Sequence, residues 1–436
     1  MKKLICIILC SVIFTGCNVV TFSTDNLLTA PSIADDQADI KKALIDEVGE
    51  ITPVYPKSGD YRSAFIVENI DAEEGKEALV FYLTDTQRGS VVTVAVLDQN
   101  EDGDWEFVSS NNGFGDYIKS VIICRYPAVT DIIIGYGITA YEENAVGIYR
   151  YAGNSLALLY GSSYSLLDRA DIDGCGEEET IILEQADSSL NVKTIKTTNG
   201  YNYTTNEYNL AAEASGVLSI KFGRINGESG DIMGMYIDLL DNSGKAVTEI
   251  VYLREGELVS PTTQDQLLLM LTKRHSGYNS VDYNGDGVVD IPVVSPFLGY
   301  YNSLASEAEY ITYWQNYNSD FGMFETSSFG YYNPENGYAF CMPATWLDSV
   351  SLKANSETGV VTFVKYDPTL AIEDMQELLG FVAITPSQEA EYTEQGYVSI
   401  AKLETVLYMY KLSGEIDETL LITEDEIIDN FYYFNY

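Results

Sequence analysis

The chain has 436 residues, 46% of them hydrophobic, and its 66 acidic and 24 basic residues give a formal net charge of −42. This length favours two or three domains with a sizeable core. The charge argues against nucleic acid as a partner, because phosphates are bound by clustered lysine and arginine, and against electrostatic attachment to an anionic membrane.

The N-terminus has the parts of a bacterial secretion signal. A cationic start at residues 1–3 precedes an apolar run at 4–14, which is too short to span a bilayer but suits a signal peptide. The run ends in Phe14-Thr15-Gly16-Cys17, which resembles the lipobox of bacterial lipoproteins. The resemblance implies lipidation of Cys17 and an extracytoplasmic protein held to the cell membrane by that lipid anchor alone. The alternative is a plain secretory leader, cut nearby, with Cys17 incidental.

Changes in composition along the chain predict five segments. A mostly polar stretch at 23–47 indicates a tether or a short helix, and a stretch rich in Tyr, Asn, Ser and Gly begins near residue 300. The predicted segments are a signal peptide at 1–16, a lipidated tether at 17–55, a β-repeat domain at 56–300, a linker at 301–335 and an α+β domain at 336–436.

Between residues 60 and 295 a β unit recurs in degenerate form. Each unit begins with an acidic, glycine-bearing loop, continues into an apolar strand, and often ends in a hairpin. The loops lie roughly 45 to 60 residues apart, which is close to the length of a four-stranded propeller blade. The loops occupy residues 69–77, 171–179, 226–231 and 282–290, with a worn copy at 127–131.

The clearest unit, Asp-Tyr-Asn-Gly-Asp-Gly-Val-Val-Asp-Ile-Pro-Val-Val at 282–294, resembles an FG-GAP/VCBS repeat of integrin-like proteins. The resemblance implies a mainly β fold, with a β-propeller of roughly five to seven blades. It also implies calcium in some blade loops and a role in adhesion or ligand binding.

The loop at 282–290 carries the most specific chemical pattern. Oxygen-bearing residues alternate in a tight turn, and Ca²⁺ prefers six to eight oxygen ligands in flexible geometry. Gly287 permits the positive φ that such a turn needs. The alternative is a solvated turn without an ion. The predicted calcium ligands are the side chains of Asp282, Asn284, Asp286 and Asp290 and the carbonyl of Val288.

Two further loops are weaker metal candidates. The loop at 69–77 keeps the spacing but offers longer side chains, and the loop at 171–179 places the soft ligand Cys175 where calcium prefers an oxygen. The candidate ligands are Asn69, Asp71, Glu73 and Glu77 in the first loop, and Asp171, Asp173 and Glu179 in the second.

No catalytic pattern stands out in the sequence. His275 is the only histidine, which makes histidine-based zinc sites and a Ser-His-Asp triad improbable, and the adjacent Lys273 and Arg274 indicate an exposed helix end for the predicted helix at 264–274. Outside the leader and anchor, Cys124, Cys175 and Cys341 are too widely spaced for a disulfide framework or a metal cluster. Buried thiols are favoured over a Cys124–Cys175 bridge.

The C-terminal part has a different pattern from the repeats. An apolar strand followed by Pro343 and Trp346 resembles the start of PsbP/Mog1-like domains. Strands are predicted at 350–353, 359–366, 381–385 and 405–411, with a helix at 372–379, which together form a small α+β module.

The combined features favour a surface-anchored, calcium-supported binding or adhesion lipoprotein without catalytic activity. Its partner would be a protein or glycan that the sequence does not identify. The alternative is an extracytoplasmic, carboxylate-dependent hydrolase of polysaccharide or cell-wall material, which needs two carboxylates converging in a deep cleft.

Overall fold

A computed structural model describes residues 35–434 except 72, 74, 88, 187–188, 228–231, 264 and 415–416. The predicted signal peptide and Cys17 lie outside the described residues. The chain divides into two compact units, one made of Met1–Thr139 and Gly147–Leu159 and the other of Ala140–Val146 and Tyr160–Tyr436. Within the described residues the protein is mainly β, as the sequence predicts.

Helix α1 (Asp35–Val48) covers part of the first sheet. Ile40 and Leu44 are four residues apart, so they share one face of the helix, and both are fully buried beside Phe65 and Trp105. The polar stretch at 23–47 was predicted to be a tether or a short helix, and its described part, from residue 35 onward, is a helix packed on the first sheet. No helix among the described residues is long and apolar enough to cross a membrane.

Five successive antiparallel sheets follow the order of the chain. The first contains β1 (Thr52–Pro53), β2 (Phe65–Glu68), β3 (Glu77–Thr86), β4 (Gly89–Gln99) and β5 (Trp105–Asn112). The second contains β6 (Tyr117–Arg125), β7 (Thr130–Ile138), β8 (Glu143–Tyr151) and β9 (Leu156–Ser163). The third contains β10 (Leu166–Ala170), β11 (Glu179–Ala186), β12 (Ser189–Thr198) and β13 (Asn202–Asn209).

The fourth and fifth sheets repeat the four-stranded meander and add one strand each. The fourth contains β14 (Ala214–Arg224), β15 (Met233–Asp241), β16 (Lys245–Arg254) and β17 (Glu257–Val259), with β18 (Arg274–His275) pairing β16 after helix α2 (Gln266–Leu271). The fifth contains β19 (Ile291–Pro296), β20 (Tyr310–Asn318), β21 (Met323–Asn333) and β22 (Tyr338–Cys341), with β28 (Phe431–Tyr433) pairing β22.

Burial along the strands explains the sequence pattern. The central strands are covered on both faces, so β7 and β15 are almost continuously apolar and buried. The fourth strand β13 is mostly exposed and correspondingly polar, whereas β9 is largely exposed or half-buried although its first half is apolar. Apolar runs in the sequence therefore mark central strands such as β7 and β15.

A sixth sheet lies at the C-terminal end, with the strand order β23-β24-β25-β27-β26. Its Phe363 and Phe381 share one hydrophobic core with Tyr338 and Phe340 of the fifth sheet. The strands are β23 (Val350–Asn355), β24 (Val360–Lys365), β25 (Glu377–Ile384), β26 (Val398–Lys402) and β27 (Leu407–Leu412), and the helices are α3 (Glu389–Glu394) and α4 (Glu424–Asp429).

Two predictions for this half were wrong. The predicted linker at 301–335 contains β20 and β21, and Trp314, Tyr317 and Tyr332 on these strands are buried. The predicted helix at 372–379 contains only a 3-10 turn at Ile372–Asp374, and residues from Glu377 onward form β25. Pairing with β24 and β27 buries Leu378, Leu379 and Phe381, so tertiary contacts override the local pattern.

Candidate functional site

The predicted calcium loop at 282–290 is folded around the carboxylate of Asp282. The backbone N–H groups of Gly285, Asp286 and Gly287 donate to its two oxygens at 2.8, 3.1 and 2.9 Å. Gly287 has a φ of 84°, the left-handed conformation expected of it. The backbone of the loop therefore surrounds the carboxylate of Asp282, the first predicted calcium ligand.

Asn284 and Asp286 continue this hydrogen-bond network. Asn284 Oδ1 accepts from the Asp286 N–H at 3.1 Å, and Asp286 Oδ1 accepts from the Val288 N–H at 2.7 Å. The Asn284 amide also donates to Asp286 Oδ2 at 2.9 Å. The three side chains of the alternating pattern are thus linked within one turn.

Asp290 ends the loop and is only 1% exposed. Its Oδ1 accepts from Asn316 Nδ2 at 2.8 Å and from Ser327 Oγ at 3.2 Å, whereas Oδ2 has no hydrogen-bond partner among the described residues. Burial raises the pKa of Asp290 to about 7, although the hydrogen bonds from Asn316 and Ser327 oppose the shift. A buried carboxylate oxygen without a hydrogen-bond partner is costly, and either a proton or a cation at this oxygen would reduce that cost.

The loop at 171–179 has the same internal hydrogen bonds. Asp171 accepts from the N–H groups of Cys175 and Gly176 at 3.1 and 2.7 Å, as Asp282 does from the equivalent Asp286 and Gly287. The Cys175 N–H also reaches Asp173 Oδ1 at 3.1 Å. The two loops are therefore copies of one turn, as their spacing predicts.

The loop at 69–77 is a looser copy. Its third residue, Asp71, accepts from the Glu73 N–H at 2.8 Å, whereas Asn69 donates its side-chain amide to the carbonyls of Glu73 and Gly75. Asn69 therefore uses its side chain to close the turn as a donor. The loop at 226–231 lies mostly outside the described residues.

A buried carboxylate at the ninth position closes each of the three loops. Glu77 Oε2 accepts from the Ile70 N–H at 2.6 Å, and Glu179 Oε2 accepts from the Ile172 N–H at 2.8 Å. In the third loop the equivalent Tyr283 amide lowers the pKa of Asp290. In each loop the carboxylate of the ninth residue thus interacts with the backbone amide of the second residue.

The neighbouring strand supplies a different residue to each loop. Asp98 pairs directly with Glu77, Lys196 lies 2.8 Å from Glu179 Oε1, and Asn316 bonds to Asp290. In the first loop, burial and the charges of Asp71 and Asp98 raise the pKa of Glu77. Lys196 and Asn316 were missed as site residues because each lies on the next strand, and only the pairing register brings it to the loop.

The C-terminal half also contains an open cavity of about 830 Å³ with a polar lining. Burial raises the pKa of Glu309 in this cavity. Aromatic and charged residues of both signs surround it. The lining includes Tyr300, Glu307, Glu309, Lys353, Glu373, Glu377, Tyr397 and Lys411.

The three remaining cysteines are thiols. Cys124 and Cys341 are buried, as predicted, whereas Cys175 is exposed in its loop. Asp171, Asp173 and Cys175 have their ligand atoms within 4.8 Å of one another, an arrangement that is common without a metal.

No protein-family model matches the chain. No curated protein matches it either. Among solved structures, a family 43 β-1,3-galactosidase with bound galactodeoxynojirimycin has 9% identity and a TM-score of 0.24, covering 63% of this chain and 96% of its own. A mannose phosphorylase from Leishmania mexicana with bound phosphate has 9% identity and a TM-score of 0.16, covering 81% and 95%. These scores carry no argument about activity.

Proposed function

We propose that the protein is a membrane-anchored, extracytoplasmic binding or adhesion lipoprotein whose fold is supported by calcium. The observation that carries the proposal is the loop at 282–290, where a turn built on carboxylate oxygens ends in Asp290, whose buried Oδ2 has no hydrogen-bond partner among the described residues. Calcium would be held by Asp282, Asn284, Asp286, Asp290 and the carbonyl of Val288. The ion would place a positive charge beside this buried carboxylate.

The same proposal takes the repeated sheets as blades of a β-propeller. Five successive four-stranded antiparallel meanders support it, because four strands in chain order are the unit of a propeller blade. Loops between the strands of such a fold are suited to binding a protein or a glycan. A glycan and peptide array probed with the chain from Ser23 onward would identify the ligand class.

The calcium site is tested by removing one ligand. At a calcium concentration about 100 times Kd, binding to the native state adds about 2.7 kcal/mol of stability, which raises Tm by several degrees. We expect Asp286→Ala to abolish this shift. The control is Asp102→Ala, which removes one exposed carboxylate from another turn and should keep the full shift. Equal Tm values for the unmutated protein in calcium and in chelator would contradict the site.

A second candidate function is hydrolysis of polysaccharide or cell-wall material. The observation that favours it is the open cavity, where Glu309, whose pKa is raised by burial, lies with further carboxylates that include Glu307 and Glu373. Release of reducing sugar from a cell-wall polysaccharide, lost in Glu309→Gln and retained in Glu307→Gln, would support the hydrolase. Absence of sugar release by the unmutated chain would leave the cavity as a binding groove.

A further inference from the structure

A lysine occupies the interior of the loop at 171–179. Lys196 Nζ lies 2.5 Å from Asp173 Oδ2, 2.8 Å from Cys175 Sγ and 2.8 Å from Glu179 Oε1. The side chain of Lys196 is 15% exposed, so the ammonium is largely withdrawn from solvent. Three groups of the loop therefore surround one positive charge.

The Lys196 ammonium lies beside a buried carboxylate, that of Glu179. Glu179 is 3% exposed, and its Oε1 has no hydrogen bond among the described residues although it lies in ion-pair contact with Lys196. In the loop at 282–290 the place of Lys196 is taken by Asn316, whose neutral amide donates to Asp290 Oδ1, and Asp290 Oδ2 has no hydrogen-bond partner among the described residues. A buried carboxylate without a counter-charge is strongly disfavoured.

Electrostatics agree with this geometry. Burial lowers the pKa of Lys196, but the contacts with Asp173, Cys175 and Glu179 outweigh it and raise the pKa well above its usual range. The pKa of Asp173 is lowered, because the contacts with Lys196 and Cys175 outweigh its burial. Both partners of the ion pair are therefore held in their charged forms.

We propose that the Lys196 ammonium is the resident cation of the loop at 171–179 and closes that loop to divalent metal ions. The residue that the neighbouring strand places beside the ninth loop residue determines whether the loop contains its own cation. This residue is Lys196 beside Glu179, Asn316 beside Asp290 and Asp98 opposite Glu77. A lysine supplies the charge internally, whereas a neutral amide leaves the loop open to an ion. This inference rests on the proposed function only in treating the loops as cation sites.

The test removes the lysine from an otherwise favourable metal loop. The parent carries Asp286→Ala, which silences the loop at 282–290, and Cys175→Asp, which replaces the soft thiol by an oxygen ligand. We expect calcium to leave the Tm of this parent unchanged. Adding Lys196→Asn, which copies Asn316, should lower the Tm in chelator by about 5 °C and make calcium restore most of that loss.

Lys193→Asn in the same parent is the matched control. Lys193 lies on the same strand and pairs with Glu184 outside the loop, at 3.4 Å. It should create no response to calcium. A calcium response in the parent that keeps Lys196, or none in the variant that lacks it, would overturn the proposal. Because Asp286→Ala is present throughout, neither result depends on the site at 282–290.

The reciprocal variant, Asn316→Lys in the unmutated chain, covers the case in which the lysine-free loop does not fold. It should abolish any calcium shift from the loop at 282–290 while the Tm in chelator is at least that of the unmutated protein. A calcium shift retained in full by Asn316→Lys would also overturn the proposal. Calcium binding can be counted independently by isothermal titration calorimetry.

Discussion

His275 lies in a setting that its sequence neighbours did not indicate. The sequence predicted an exposed helix end, but helix α2 ends at Leu271 and His275 is half-buried in strand β18. Its Nδ1 lies 3.0 Å from Lys245 Nζ, and its ring lies 4.8 Å from that of Tyr310. Burial and the Lys245 charge lower the pKa of His275.

We expect the stability of the protein to depend on pH through the lowered pKa of His275. Because the folded pKa is below the unfolded value of about 6.5, the contribution of neutral His275 to stability is present above that pH. It is lost as pH falls through the folded pKa. As the chain has a single histidine, its imidazole proton resonance can be followed without ambiguity. The titration midpoint should lie below 6.5 and should rise in Lys245→Met; a midpoint at 6.5 or above would contradict the prediction.

At the scale of elements, a buried ion pair joins β18 to the fourth sheet. Arg274 and Asp238 are both fully buried, with Nη2 and Oδ1 2.7 Å apart. Asp238 also accepts from Thr248 Oγ1 at 2.6 Å and from the Ser280 N–H at 2.6 Å. Arg274 was predicted to lie on an exposed helix end, and that was wrong because the strand pairing with β16 turns it inward.

Removing the arginine leaves the Asp238 carboxylate buried without a counter-charge. We expect Arg274→Met to lower the free energy of unfolding by about 3–5 kcal/mol in urea denaturation. The control is Lys273→Met, whose ion pair with Asp241 is more exposed and is worth about 0–1 kcal/mol. Similar losses for the two variants would show that the buried pair does not organise this part of the sheet.

At the scale of the whole molecule, the net charge of −42 is compatible with exposure to the calcium-rich side of a membrane. Self-repulsion among carboxylates opposes the compact state, and bound cations reduce it. The charge also favours a lipid anchor over electrostatic adsorption to an anionic membrane. Localisation and cation binding are therefore linked in the proposed function.

The anchor itself can be tested in cells. We expect the unmutated protein to enter the detergent phase in Triton X-114 partitioning, because a diacylglycerol adds about 0.8 kcal/mol per buried methylene. Cys17→Ser should move it to the aqueous phase. The control is Cys10→Ser, which alters a cysteine of the leader and should leave the partitioning unchanged. Detergent partitioning retained by Cys17→Ser would refute lipidation.

The sequence by itself determined the mainly β class, the places of the loops and the internal form of the turns. The hydrogen bonds that Asp171 and Asp282 accept from backbone amides four and five residues later follow from spacing alone, because one tight turn closes within nine residues. Only the tertiary structure decided what faces each loop. Lys196 and Asn316 reach Glu179 and Asp290 through strand register, and the strands in the predicted linker form because neighbouring sheets bury their aromatics. Such contacts join distant parts of the chain, so local patterns do not encode them.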